Sequence, residues 1–169
     1  EKEGRFLLNE IMIAGNFGAI TAMDVEKLEH PEWMQFFDYI LLGDVVEHLK
    51  NPWKAIRNMG MFLKPGGILL FSVPNVIHIS VIEQLLHGRW KYDESGILDK
   101  THLRFFTKYE ITTFLKSLGY RIEYVSGHIV PETSQQNALR RKLCALDEVK
   151  VDENELKTYQ WYIVAKKDE

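Results

Sequence analysis

Two near-continuous apolar runs stand out along the chain, residues 37–43 (FDYILLG) and 68–73 (ILLFSV). Each has the length of a strand, and an uninterrupted apolar run reads as a strand buried on both faces. Between them Trp53, Ile56, Met59, Phe62 and Leu63 recur at three- and four-residue spacing, which makes one apolar stripe along a helix. Asn51 is placed to cap that helix and Pro52 to open it. Lys64 stands before Pro65, where further helix is disfavoured, and Pro65-Gly66-Gly67 suits a turn. Thr107 and Glu110 form a capping-box pattern for a helix through Phe114 and Leu118 that ends at Gly119. Residues 120–126 alternate like a strand, 137–149 set Leu139, Leu143 and Leu146 on one helical face, and 159–165 (YQWYIVA) reads as a last strand.

Ahead of the first run, residues 5–14 (RFLLNEIMIA) suit a helix or a strand, and 19–23 (AITAM) a short strand ending at Asp24. Asp44 and Glu47 make a D-x-x-E pattern, which predicts a capping box opening a short helix. The order strand, helix, strand, helix, strand implies an α/β fold with a mostly parallel sheet and an antiparallel pair formed by the final two strands.

Composition narrows the class. The 169 residues are enough for one domain with a real core, and 46% apolar with 27% charged residues is an ordinary globular balance. A net charge of −3 argues against nucleic acid as a partner, because such proteins gather excess Lys and Arg on one face. The one local basic cluster, Arg140, Arg141 and Lys142, is followed by Asp147, Glu148 and Asp152 and reads as a solvated helix face. No apolar run approaches the roughly 20 residues that cross a bilayer, and no signal peptide is visible. Cys144 is the only cysteine, so an intrachain disulfide and a thiolate metal cluster are excluded. A cytoplasmic location without a membrane partner is expected.

In open α/β sheets ligands bind beyond the carboxyl ends of the strands. Three such ends carry a glycine or a short polar residue directly after an apolar run: Asp24, Gly43-Asp44 and Pro74-Asn75. Each could be simple punctuation, but their coincidence favours a ligand crevice. Residues 87–104 form a long segment rich in His87, Arg89, Trp90, Tyr92, Asp93, Asp99, His102 and Arg104, a mix that suits a recognition loop or lid. If that segment is extended, His102 and Arg104 share one side. No tight ligand spacing such as H-x-x-x-H occurs, so no metal is expected.

The stretch FDYILLGDVVEHLKNPWKAIRNMGMFLKPGGILLFSVPN resembles the second half of the class I S-adenosylmethionine-dependent methyltransferases. The following NVIHISVIEQLLHGRWKYDESGILDKTHLRFFT resembles a subgroup with a substrate-side insertion, here at about 76–107. The ordered combination of D-V-V-E-H-L, L-K-P-G-G, V-P-N and T-H-L-R-F-F-T is specific, although each alone is weak, and it covers residues 18–128 with the last strand. The resemblance implies a Rossmann-like sheet and S-adenosyl-L-methionine as cofactor. It implies that Asp24 accepts from the adenine amino group, with Val25 near the ring, and that Leu42, Gly43 and Asp44 meet the amino-acid part. His48 and His102 become the candidates to take a proton, since an unperturbed His titrates near 6.5. Asn75, His78, Arg89, Trp90, Tyr92, Asp99 and Arg104 become the candidates for the acceptor side, and a small-molecule or glycan-type acceptor with an O or N nucleophile is implied.

The glycine-rich loop of that family should follow the first strand, with an acidic ribose ligand after the second. Gly15-Asn16-Phe17-Gly18 is only G-x-x-G, and few residues precede it. The sheet is therefore expected to lack its first strands. A single, truncated domain over 1–169 would expose a strand edge and self-associate through it. The alternative function is a non-catalytic, methyltransferase-like assembly module.

Overall fold

The computed structural model describes residues 24–168. The expectations for 5–14, Gly15 to Gly18 and the strand at 19–23 lie outside the described residues.

Among the described residues four strands make one sheet: β1 (Phe37–Gly43), β2 (Leu63–Pro74), β3 (Tyr120–Ile129) and β4 (Thr158–Lys167), in the order β1-β2-β4-β3. β1 and β2 are parallel, joined by helix α1 (Pro52–Phe62), as a parallel pair requires a crossover. β3 and β4 are antiparallel, as the sequence predicts. β4 also lies antiparallel against β2, because it starts beside the carboxyl end of that strand, with Gln160 opposite Pro74. The sheet is thus mixed.

Register explains the core. Ile40 pairs with Leu69 and Leu69 with Ala165; Leu42 pairs with Phe71 and Phe71 with Ile163. All of these are buried, so two apolar rows cross three strands on one face. Ile56, Met59 and Phe62 of α1 and Ile111 and Leu115 of α3 (Lys108–Ser117) belong to the same cluster. The expected caps form: Asn51 accepts from the Lys54 amide at 3.1 Å and Thr107 from the Glu110 amide at 3.1 Å. The opposite face is apolar but open, with Tyr39 65% and Leu41 60% exposed. The first run is therefore not buried on both faces.

Three further expectations change. β2 begins at Leu63, not at 68, because Leu63 already pairs with Phe37 and a register shift absorbs the residues between. Pro65-Gly66-Gly67 makes its turn inside that shift, with Gly66 at φ 72°. A Cβ on Gly67 would lie 2.9 Å from the Lys64 carbonyl, so this position requires glycine. Asp44 and Glu47 do not form a capping box: the 3-10 turn Val46–His48 starts at Val45 without a side-chain cap. The basic cluster is not wholly solvated either. On α4 (Ser134–Cys144) Arg140 is 2% exposed and ion-paired to Glu132 and Glu153, while Leu146 lies beyond the helix and is 51% exposed.

The segment 76–107 is a folded unit and not an irregular loop. It contains helix α2 (Ile79–Leu86) and a small core of Val81, Ile97 and Leu98 against Val76, Phe105 and Tyr159. Its two ends meet where β2 stops, because the Val76 amide donates to the Phe106 carbonyl at 3.0 Å. Short helix α5 (Glu153–Lys157) then leads into β4.

Candidate active site

The carboxyl ends of β1 and β2 create the crevice. Asp44 directly follows β1 and adopts φ 51°, a left-handed conformation that a non-glycine residue holds only when its surroundings enforce it. The enforcement is visible. The Asp44 amide donates to Ser72 Oγ at 2.9 Å, Ser72 Oγ–H donates to Asp44 Oδ1 at 2.8 Å, and Gln160 Nε2 donates to the same oxygen. Neighbouring strands thus clamp the strand exit. Gly43 is exposed, and a Cβ there would meet only Ser72 Oγ at 3.7 Å, so its value lies in leaving backbone open to a ligand.

The turn after Asp44 places Glu47 and His48. Glu47 is 1% exposed, and neither carboxylate oxygen has a hydrogen-bond partner among the described residues. Burial, with Asp44 nearby as a lesser cause, pushes its carboxyl up to about 8. The Glu47 carbonyl receives the Leu103 amide at 2.8 Å and the Arg104 amide at 3.0 Å, which docks the far end of the 76–107 segment onto this turn. Docking brings His102 to His48, with ring centroids 4.8 Å apart at 73°. His48 Nδ1 lies 3.3 Å from the Thr101 carbonyl, and His102 Nδ1 lies 3.0 Å from the Ile97 carbonyl. A carbonyl can only accept, so Nδ1 of each ring carries the hydrogen, and a neutral ring then keeps its lone pair at Nε2. Burial, then the proximity of His48, depresses the His102 pKa against the opposing pull of the Ile97 carbonyl and of Asp99 and Asp44.

The structure therefore brings together both proton-accepting candidates, with Asp44 beside them. Asp99 supports them from behind: its Oδ1 accepts from the Thr101 amide at 2.7 Å and from Thr101 Oγ1 at 2.6 Å. The hydroxyl hydrogen bond from Thr101 holds the Asp99 carboxyl below its usual range. Asp99 thus positions Thr101 through this one oxygen.

Other candidates fall elsewhere. Asn75 is fully buried, and its Nδ2 donates to the Glu155 and Thr158 carbonyls, both at 2.7 Å. It ties the exit of β2 to the entry of β4, which leaves its amide no donor for an acceptor molecule. His78 is 2% exposed, caps α2 through the Ser80 amide and packs edge-on against Tyr159, so it lies inside the fold. Arg104 braces the docked segment by donating to the Lys50 and Leu103 carbonyls. Trp90 packs edge-on against Phe105 at 5.0 Å and near Tyr92 at 6.4 Å; Arg89, Trp90 and Tyr92 are all exposed. These three keep their side chains open to solvent.

On the cofactor side, Asp24 caps the 3-10 turn Val25–Lys27, accepting from the Glu26 amide at 3.0 Å and pairing with Lys27 at 2.9 Å. Its side chain is 44% exposed, which leaves acceptor capacity for an outside donor. Val25 and Leu42 are buried in the core, so their backbone and not their side chains would be offered. Asp24 and Asp44 both present exposed carboxylates, and Gly43 presents open backbone. The sequence reading passed over Ser72, Gln160 and Thr101 because their roles depend on contacts across strands and segments.

With this geometry in view, comparison with known proteins places the fold. Residues 8–125 match a family described as a methyltransferase domain. The chain belongs to that family. An S-adenosylmethionine-dependent methyltransferase from Mesorhizobium loti superposes with a TM-score of 0.56 at 20% identity, covering 91% of this chain and 72% of that one. A second from Methanosarcina mazei gives 0.56 at 17% identity, covering 88% and 66%. Among curated relatives, the ubiquinone biosynthesis O-methyltransferase of Coxiella burnetii is 26% identical over 93 residues, 55% of this chain and 40% of the relative. The ubiquinone/menaquinone biosynthesis C-methyltransferase of Edwardsiella ictaluri is 37% identical over 82 residues, 47% of this chain and 32% of the relative. The chain thus spans two fifths or less of the length of these curated relatives. Among the described residues no helix is long and apolar enough to cross a membrane.

Proposed function

We propose that this domain transfers a methyl group from S-adenosyl-L-methionine to an oxygen of a small-molecule acceptor bound on the 76–107 side of the crevice. The observation that carries the reading is the His48–His102 pair, gathered beside the clamped Asp44 at the carboxyl end of β1. When bound, the cofactor supplies an electrophilic methyl on a sulfonium, so little covalent chemistry is left to the protein. Asp24, Gly43 and Asp44 hold and orient it. His48 or His102 receives the acceptor's proton at Nε2, the nitrogen each leaves free. Arg89, Trp90 and Tyr92 offer an aromatic and cationic rim that suits a planar acceptor, an inference strengthened by the quinone-pathway names of the curated relatives. A glycan-type acceptor is the alternative that the subgroup resemblance supports.

Calorimetric titration with S-adenosylhomocysteine tests the cofactor half. Heat from the chain that weakens in Asp44→Ala is expected, while absence of heat at any concentration would favour the assembly-module reading. Transfer of labelled methyl to a catechol or a phenol, but not to a sugar, tests the acceptor half.

A further inference from the structure

We infer that Glu47, His48 and His102 form a binding site for one divalent transition-metal ion, of the zinc, manganese or iron(II) class. One potential ligand atom from each of the three residues lies within 4.8 Å of the other two. The carboxylate is the telling member. A buried carboxylate is costly unless it is paired, and Glu47 is enclosed with both oxygens bare. Among the described residues no side chain donates to it, and the two imidazoles beside it can offer nitrogen lone pairs, an arrangement that a cation or a proton satisfies.

The surroundings resemble the outer support of a metal centre. His102 donates Nδ1–H to the Ile97 carbonyl, and His48 does the same to the Thr101 carbonyl. Such bonds fix the tautomer and aim Nε2 at the ion. Thr101 is itself held by Asp99, so a carboxylate stands behind the histidine pair. Asp44 adds further negative charge on the same side of the site. Two imidazoles and one carboxylate suit the borderline ions, whereas magnesium and calcium prefer sites built of oxygen. Three protein ligands leave at least one position open, as in catalytic sites and not structural ones. Bonds of about 2.0–2.2 Å require the ligand atoms to draw closer than they now stand, by side-chain rotation on binding.

The spacing along the chain conceals this site, because His102 arrives from the far end of the inserted segment. The site would also explain why that segment docks on the Glu47 carbonyl: docking completes the ligand set. Its use rests on the methyl-transfer reading. With an ion in place both Nε2 lone pairs would be taken, so the ion would replace the free histidine in activating the acceptor. The acceptor's oxygen would occupy the open position, its proton would pass to water, and its bond to the methyl carbon would form as the sulfur–methyl bond breaks.

The test does not depend on catalysis. The chain is freed of metal with a chelator and titrated with Co2+, followed by visible absorption, and with Zn2+ by equilibrium dialysis in competition. One equivalent is expected, with Zn2+ displacing Co2+. Glu47→Gln and His102→Ala should each weaken binding by more than about 100-fold, beyond the roughly 10–100-fold that loss of an outer support costs. His87→Ala, at an exposed histidine outside the cluster, should leave it unchanged. Failure of the unaltered chain to bind either ion overturns the inference, as does undiminished binding in both Glu47→Gln and His102→Ala. Should Glu47→Gln not fold by circular dichroism, His48→Ala takes its place, since that side chain is only half-buried. A metal-binding chain without methyl transfer would sink only the functional reading.

Discussion

Arg140 carries a prediction that can be worked through in numbers. Its guanidinium donates to the two Glu132 oxygens at 2.7 and 2.9 Å, a bidentate pair, and a third nitrogen donates to Glu153. Arg140→Ala strips Glu132, whose side chain is only 10% exposed, of everything except a long bond from Asn137 at 3.4 Å. Breaking a buried pair in this way costs about 3–5 kcal/mol, a large share of the roughly 5–15 kcal/mol that holds a domain together. Arg140→Lys keeps the charge but loses the fork, so an intermediate loss is expected. Removing both charges with Arg140→Met and Glu132→Leu should recover most of the loss, since apolar replacement of a buried pair is often neutral. Glu153 is 51% exposed and needs no replacement partner.

Urea unfolding at pH 7, followed by circular dichroism, reads all four proteins. The pH dependence gives an independent check. Hydrogen bonding from Arg140 holds the Glu132 carboxyl below its ordinary value of 4.5. The unfolded chain therefore protonates first as pH falls. The pair's contribution is complete above about 4.5 and disappears as pH drops through the lowered folded value. The gap between the native chain and Arg140→Ala should accordingly close in acid. A loss below about 1 kcal/mol, the worth of an exposed pair, would refute the reasoning. So would a double variant no more stable than Arg140→Ala. The consequence reaches the site, because α4 also sends Gln136 Nε2 to Glu83 of α2 at 3.1 Å and so helps to hold the 76–107 segment.

Other outcomes follow from the same structure. Tyr120→Phe should be neutral or stabilising by up to about 1–3 kcal/mol in thermal unfolding, because the hydroxyl is buried without a partner among the described residues and burial pushes its pKa to about 12. Phe106→Ala should cost about 3–5 kcal/mol by urea titration, since that ring is 1% exposed and meets Trp53 edge-on. Asn75→Ala should cost about 2 kcal/mol or more through two orphaned carbonyls, and amide exchange should quicken at the start of β4. His102→Ala should lower kcat by about 100-fold or more with the fold intact, and a variant of unchanged kcat would remove His102 from the chemistry.

The caps of α1 and α3 and the apolar stripe along α1 are short-range properties, so the sequence by itself determined them. Asn51-Pro52, Thr107 and Gly119 set the limits of α1 and α3 through bonds that span a few residues. The apolar run at 37–43 and the D-V-V-E-H-L that follows were enough to indicate the methyltransferase lineage, because the fold places backbone and carboxylates where strands end. What depends on residues far apart in the chain was decided only by the tertiary structure. Asn75 and His78 looked like ligand contacts and became internal fixings, because β4 and α2 close over them. Arg140 looked solvated and became a buried ion pair, because Glu132 and Glu153 approach it from outside its helix. Glu47 looked like a helix cap and became a bare buried carboxylate facing two histidines, because the inserted segment folds back to dock on its carbonyl. Local pattern reports which residues can be buried, and only the meeting of distant segments fixes which charges are buried together.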